Sequence, residues 1–542
     1  MQDPGGAVRF STIDAYRYGG TARLGRSAQR KVLVRHTVRL RDADHREMTW
    51  SRITEKPAES CETMKFSRRD VVAGLGALAI SAKAGSAQTQ QRIIMNDASR
   101  LNPTPLFRHW HVRSGEADFI AALRRELKDA AAARRAVAIG AARHSMGGQS
   151  LIRNGVAMTF DIDQCELDHT AKTYRVHAGT RWHQVIAHLD PAGFSPAVMQ
   201  SNSDFGVGAT FSVNAHGWPT PYGPFGSTAR SIRLMLADGS IVTCSRTENA
   251  ELFALAMGGY GLIGVILDLE VEMAENMLLK PNLEAMPAGD FAKRFITAAN
   301  DPAVPMIYGR LNVEREKFFS EALLVSWRKE PTPAAGLPPP ARSGALTGIS
   351  RQIYRVQVGR EWGKSLRWFV ERSLAPMLSD GVATRNRLMN EPVLNLENRD
   401  RQRTDILHEY FVSPERFNDF LEGCQRIIPK ASAEFLNVTL RHVKRDPTSV
   451  LSFATTDRIA AVMSFSQKVN PNGETDMIRV TEELIDLVGS IGGSFYLPYR
   501  LHARPDQLAR IYPEAQRFAE RKRHYDPGLL FQNTMWNTYF NA

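Results

Sequence analysis

Two groups of residues have types and spacings that could do chemistry. The first is the stretch Ile139-Gly140-Ala141-Ala142-Arg143-His144-Ser145-Met146-Gly147-Gly148, which follows the short apolar run Ala136-Val137-Ala138. It reads as a strand feeding a turn of small residues, where backbone N–H groups can approach an anion closely. Such a loop suits a pyrophosphate. The second group lies in the C-terminal half. Glu409 enters the otherwise apolar run Leu407-His408-Glu409-Tyr410-Phe411-Val412, and a carboxylate in that setting suits a proton-accepting or substrate-orienting role, though an edge-strand glutamate in water fits the same pattern. Asn437, Thr439 and Arg441 alternate with Leu436, Val438 and Leu440, so the polar three share one face of a strand. That face is either solvated or turned to a cavity. In the second case Arg441 is an electrostatic stabiliser or an anchor for an acidic substrate. Tyr496 and Tyr499 flank Pro498 and are placed to line the same pocket.

The elements that must position these residues alternate between strand and helix from about 110 to 273. Ala157–Phe160 and Thr173–Gly179 read as strands, and Trp182–Leu189 as a helix closed by the turn Asp190-Pro191-Ala192-Gly193. A second glycine-containing loop runs from Gly206 through Gly208, Ala209, Ser212, Asn214 and His216 to Gly217. The segment from Ser231 to Cys244 contains Asp238-Gly239, a strong hairpin signal. A third glycine-rich segment is Gly258-Gly259-Tyr260-Gly261-Leu262-Ile263-Gly264-Val265-Ile266.

Three such segments in this order, with His144-Ser145 in the first and Ala215-His216-Gly217 in the second, resemble the FAD-binding domain of the vanillyl-alcohol oxidase, or PCMH-type, family of FAD-linked oxidases. The likeness is strongest to members that oxidise sugar lactones, alditols and cytokinins. The resemblance implies an α+β protein: a two-subdomain PCMH-type FAD-binding domain at 100–275 and an antiparallel-sheet cap, the substrate domain, at 276–500. A C-terminal segment at 501–542 then returns to the FAD domain, and its closing motif contains Asn533. The cofactor is FAD. It is expected to be held by Gly140, Ala141, Ala142, Arg143, His144 and Ser145, by Gly206, Gly208, Ala209, Ser212, Asn214 and His216, and by Gly261, Gly264, Val265, Ile266 and Asn533. In many members the histidine equivalent to His144 is joined to the flavin 8α carbon, so a covalent link through His144 is expected, with noncovalent FAD as the alternative. Here Ala141-Ala142-Arg143 precedes the histidine, where many members have glycine immediately before it. Bicovalent members carry a cysteine just before the second loop. Asn202 or Ser203 takes that place, so one covalent link is the most expected.

Composition narrows the partners. Of the formal charge of +12, residues 1–63 contribute +4 and residues 64–87 contribute +3, which leaves +5 for the rest. Without a basic stripe interleaved with aromatics, nucleic acid is not expected as a partner. The four cysteines, Cys61, Cys165, Cys244 and Cys424, show no Cys-x-x-Cys spacing, and the three that fall in the mature chain are read as buried thiols. No metal site is implied, and His109 and His111 are read as structural.

The N-terminal region divides at Met64. Ser67-Arg68-Arg69-Asp70 precedes the apolar run Ala73–Ile80 and a small-residue stretch ending at Ala87, the order of a twin-arginine (Tat) export signal. We read residues 64–87 as that signal peptide and residues 1–63 as a non-native N-terminal extension. The expected location is periplasmic or secreted, with no stable membrane insertion.

The expected function is FAD-dependent oxidation of a small organic donor of CH–OH type, an alcohol, sugar or lactone. Oxygen or a redox carrier would be the acceptor, and Glu409, Arg441, Asn437 and Tyr499 the catalytic candidates. The alternatives are a dehydrogenase feeding a respiratory carrier and a non-catalytic periplasmic flavin or ligand binder. Export and the absence of a separate Gly-x-Gly-x-x-Gly unit after a strand disfavour a nicotinamide enzyme.

Overall fold

Apolar residues recur at two periods along the chain, and the computed structural model shows how each is buried. It describes residues 31–41, 47–57, 93–113, 118–200, 202–332, 336–340, 355–374, 381–392 and 400–541. The export signal expected at 64–87 lies outside them. Two compact units result, Met1–Gln90 and Gln91–Ala542. In the first, strands Lys31–Arg41 and Glu47–Pro57 pair antiparallel.

The second unit is α+β and contains three principal sheets. Strands Arg108–Arg113, Val156–Asp161 and Val137–Ile139 form a small parallel sheet with Val156–Asp161 in the centre. The helix Phe119–Ala132 supplies the crossover, burying Leu123, Leu127 and Ala130 against it. A six-stranded antiparallel sheet is centred on Val265–Glu275, flanked by Ala229–Met235 and Thr173–His177. The expected hairpin is present, with Gly239 in the left-handed region at φ 82°. Both sheets border the stretches singled out as cofactor loops.

The third sheet has eight strands, every neighbouring pair antiparallel: 383–384, 278–287, 321–329, 306–311, 434–443, 458–468, 403–412 and 494–495. One face takes the helices Phe291–Ala299, Phe417–Ile427 and Pro471–Ser490, which bury Phe291, Phe295, Phe417, Phe420 and Leu484. Gly309 is required there, because a Cβ would sit 2.2 Å from the Phe291 ring. The opposite face is turned toward the cofactor loops. The α-helix Glu361–Phe369 continues as a π-helical turn, Val370–Leu374.

The join between the parts is polar and buried. Arg385 is 2 % exposed and donates to Ser195 Oγ at 3.1 Å and to the carbonyls of Pro196 and Ala197. Burial lowers its pKa to about 10. Asn386 donates to Asp190 and to the Phe194 carbonyl. Behind the third sheet, Glu474 binds Arg500 and His502, while Tyr410 donates to His408 Nδ1 at 3.2 Å.

Two stability predictions follow from these contacts. Arg385→Ala leaves three buried acceptors without their donor and should cost about 3 kcal/mol, read as a lower urea midpoint at unchanged slope. Acid should destabilise the fold in two windows. Burial, and next the charges of His502 and Arg500, lower the His408 pKa from 6.5 to about 3, so between those values the unfolded chain binds a proton the folded chain refuses. Burial alone would raise Glu474, but the His502 hydrogen bond and Arg500 bring it from 4.5 to about 2, and that stabilisation is lost as pH falls through this lower range. Thermal midpoints should therefore fall steadily below about pH 6.5. A midpoint that rises on acidification to pH 4 would contradict this.

Candidate functional site

The strand Val137–Ile139 ends at Gly140, whose N–H bonds the Met158 carbonyl, and the chain then turns through Ala141 to Ser145 along one wall of a large cavity. Close approach explains the small residues. A Cβ on Gly140 would lie 2.6 Å from Ser150 Cβ, and one on Gly206 would lie 2.6 Å from Ala141 Cβ. Arg143 stands at the position before the histidine and takes φ 57°, a backbone that glycine adopts freely and arginine adopts at a cost of about 1 kcal/mol. Its guanidinium reaches Thr159 Oγ1 and lies 3.3 Å from His109 Nε2, contacts a glycine could not make. The histidine ring that follows, His144, lies 4.2 Å from the Phe205 ring centroid, and burial lowers its pKa to about 4. It is a neutral imidazole at neutral pH.

The second wall differs from the expected loop. Val207–Ser212 is a short helix with Gly206 as its N-cap. Gly208 packs on Ala178, where a Cβ would meet Ala178 Cβ at 2.6 Å. Gly206, Gly208, Ala209, Ser212 and His216 line the cavity, as do Gly261, Gly264 and Ile266 from the third segment.

Three cofactor candidates fall elsewhere. Asn214 is 2 % exposed and donates to Asp446 Oδ2 at 2.9 Å and Ser449 Oγ at 2.8 Å, clamping the helix end to the third sheet's outer loop. Val265 begins a strand whose alternation sends Gly264 and Ile266 to the cavity and Val265 into the core beneath the parallel sheet. Asn533 caps the last helix and donates to the Tyr260 carbonyl at 3.1 Å. It belongs to a latch. Phe531 bridges Val137, and Thr534 N–H bonds the Leu151 carbonyl, so the C-terminal segment braces the first cofactor loop from behind.

The third sheet supplies the roof. Register sets its chemistry: Glu409 pairs with Val462, Val462 with Thr439, and Thr439 with Arg310, one row across four strands. Leu407, Glu409, Val462 and Arg441 from this face line the cavity, together with Tyr496 and Tyr499. Glu409 is 3 % exposed. His216 Nε2 donates to its Oε1, and Tyr499 Oη donates to its Oε2 at 3.1 Å. Arg441 Nη1 donates to the His216 carbonyl at 3.3 Å. Burial lowers the Arg441 pKa, while the charge of Glu409 opposes that shift. His216, which lines the cavity, is thus also the partner of the Glu409 carboxylate.

Asn437 does not join this group. It shares the polar face, but four residues along a strand separate it from Arg441 by about 13 Å. There Arg367 donates to its Oδ1 at 2.9 Å and to the Leu436 carbonyl at 2.8 Å. The sequence reading also missed Gln149. Its Nε2 donates to the carbonyls of Leu497 and Tyr499, fixing the tyrosine, and its place directly after Gly147-Gly148 was the available signal. His109 and His111 stack at 5.4 Å on the parallel sheet, bonded to Thr159 and Asp161. Cys165, Cys244 and Cys424 are free thiols, Cys165 only partly buried. No metal-binding cluster and no helix long and apolar enough to cross a membrane occurs among the described residues.

The cavity fits an extended anionic ligand. Glycines admit backbone to its wall, Arg143 supplies positive charge, and Arg143 Nε, Ser150 Oγ and Gln200 Oε1 are buried wall atoms without a partner among the described residues. Comparison with known proteins identifies that ligand. Residues 117–245 match the FAD binding domain family. Cytokinin dehydrogenase 2 of Arabidopsis thaliana is 28% identical over 176 residues, 31% of this chain and 35% of the relative. An uncharacterized oxidoreductase of the fasciation locus of Rhodococcoides fascians is 25% identical over 202 residues, 36% of this chain and 46% of the relative. D-arabinono-1,4-lactone oxidase of Yarrowia lipolytica is 33% identical over 102 residues, 18% of this chain and 19% of the relative. The aligned part thus spans less than half the length of each of these relatives. Taken with the order of the three cavity-lining segments, this identifies residues 117–245 as an FAD binding domain similar to that of these FAD-linked oxidases, with FAD as its cofactor.

Proposed function

We propose that the chain is an FAD-dependent oxidoreductase acting on a small CH–OH donor, an alcohol, sugar or lactone. The observation that carries this reading is the hydrogen-bonded set Glu409, Tyr499, His216 and Arg441 in the roof of the cofactor cavity. FAD supplies the two-electron acceptor when bound. The protein must then hold the donor carbon, take the hydroxyl proton and exclude water. Glu409 suits the proton-accepting role, because it is buried at the roof and tied at both oxygens. Arg441 places positive charge at the same point, where it can stabilise developing negative charge on the donor oxygen. The apolar groups Leu407 and Val462 beside them help to shield the reacting centre from water.

The relatives' names, a cytokinin dehydrogenase and a lactone oxidase, span two donors and two acceptor habits. Oxygen and a respiratory redox carrier therefore both belong in the test. We further infer a single covalent link from His144 to the flavin 8α carbon, supported by the loop position and the neutral ring, and export from Met64 by the Tat signal to the periplasm or beyond.

Three outcomes check this reading. Purified holoenzyme screened with alditols, sugar lactones and simple alcohols should consume oxygen or reduce a dye with at least one donor. Bound flavin unreactive toward all of them would leave the ligand-binding alternative. Glu409→Gln should lower kcat by about 100-fold or more while flavin stays bound. After acid or urea denaturation, flavin fluorescence should remain with the native polypeptide and leave His144→Ala; release from both would make the link noncovalent.

A further inference from the structure

We propose that Tyr499 is the group that meets the donor, and that Tyr499 and Glu409 form a hydrogen-bonded proton relay in the cavity wall, with His216 holding the other oxygen of Glu409. This rests on the oxidoreductase reading above. The order follows from accessibility. Tyr499 is half-buried in the cavity wall, whereas the Glu409 and His216 side chains are only 2% and 3% exposed. Both oxygens of Glu409 are occupied, Oε2 by the Tyr499 hydroxyl at 3.1 Å and Oε1 by His216 Nε2. All three line the cavity, and Tyr499 is the most exposed of them, the first that a donor hydroxyl entering there would meet.

The surroundings hold this order in place. Gln149 Nε2 fixes the Tyr499 carbonyl at 3.0 Å. The His216 ring is held edge-on to Phe411, centroids 5.5 Å apart at 76°, and its backbone carbonyl takes the Arg441 hydrogen bond. Burial, and next the charge of Glu409, push the Tyr499 phenol well above its ordinary range, so it passes a proton as a neutral hydroxyl.

The step balances without another reactant. The donor C–H hydrogen leaves with its electron pair to bound FAD, the oxidant, as the C=O bond forms. The donor O–H bond breaks, its proton passes to Tyr499 Oη, and the phenol's own proton moves to Glu409 Oε2. The donor has lost two hydrogens and two electrons, and Glu409 ends as the acid. His216 keeps the other oxygen engaged and is a positioning residue.

The test uses holoenzyme of the full chain as wild type, Tyr499→Phe, Glu409→Gln and His216→Asn, with xylitol and D-arabinono-1,4-lactone as probe donors. We expect Tyr499→Phe to lower kcat about 100-fold with flavin still bound, and the wild-type rate to vary non-linearly with the D2O fraction because two protons move together. A readout that needs no donor accompanies this. In tyrosine-labelled 13C NMR, the Tyr499 ring resonance, assigned by its loss in Tyr499→Phe, should shift in Glu409→Gln and, by a smaller amount, in His216→Asn. A wild-type flavin bleached by a donor, with Tyr499→Phe within threefold of wild-type kcat, overturns the relay alone. A Tyr499 resonance indifferent to Glu409→Gln overturns it whatever the activity. A wild-type flavin that neither donor bleaches counts against the parent reading and the relay together.

Discussion

The contact on which the rest of the structure depends is the buried hydrogen bond between His216 and Glu409. His216 follows the short helix that closes the cofactor cavity, and Glu409 sits on the cap strand above it, so one interaction joins the two halves at the reacting centre. Both partners are almost fully buried, and removing either one strands a polar or charged group, which costs about 3–5 kcal/mol for a buried pair. The surrounding architecture keeps the pair in register. Arg385 and Asn386 fasten the cap to the turn after the helix Trp182–Leu189, and Asn214 fastens the other end to the loop at Asp446.

The cofactor cavity obeys a different constraint, close approach of small neighbouring residues, Ser150, Ala141 and Ala178, to glycine backbone. Gly140, Gly206 and Gly208 are there because neighbouring chain passes within contact of their Cα atoms. Arg143 is the exception. It accepts a left-handed backbone, and its guanidinium returns contacts to Thr159 and His109 on the parallel sheet. The departure from glycine before His144 is thus a substitution with its own local support. Behind the loop, the C-terminal segment from Phe531 to Thr534 clamps the strand that delivers it.

Much of this was legible in the chain. Glycine spacing and His144-Ser145 pointed to the cofactor loops, and period-two alternation put Arg441 on one face with Asn437 and Thr439, because both signals are local; whether that face met solvent or the cavity was not written in the spacing. What stayed hidden depended on partners distant in sequence. Asn214, Asn533 and Asn437 are polar residues in plausible places, yet each spends its side chain on a remote element, Asp446, Tyr260 and Arg367 respectively. No spacing rule pairs His216 with Glu409 or brings Gln149 to Tyr499. The export reading concerns residues outside those the structure describes.

The central claim is that a donor carbon reacts beneath the roof formed by Glu409, Tyr499 and Arg441. Anaerobic stopped-flow reduction of the holoenzyme tests it most directly, using an active alcohol or lactone donor and the same donor deuterated at the carbon to be oxidised. The account predicts that the flavin absorbance bleaches in one turnover and that deuteration slows the bleaching several-fold. Flavin that stays bound and oxidised with every CH–OH donor, while remaining reducible by dithionite, would contradict it.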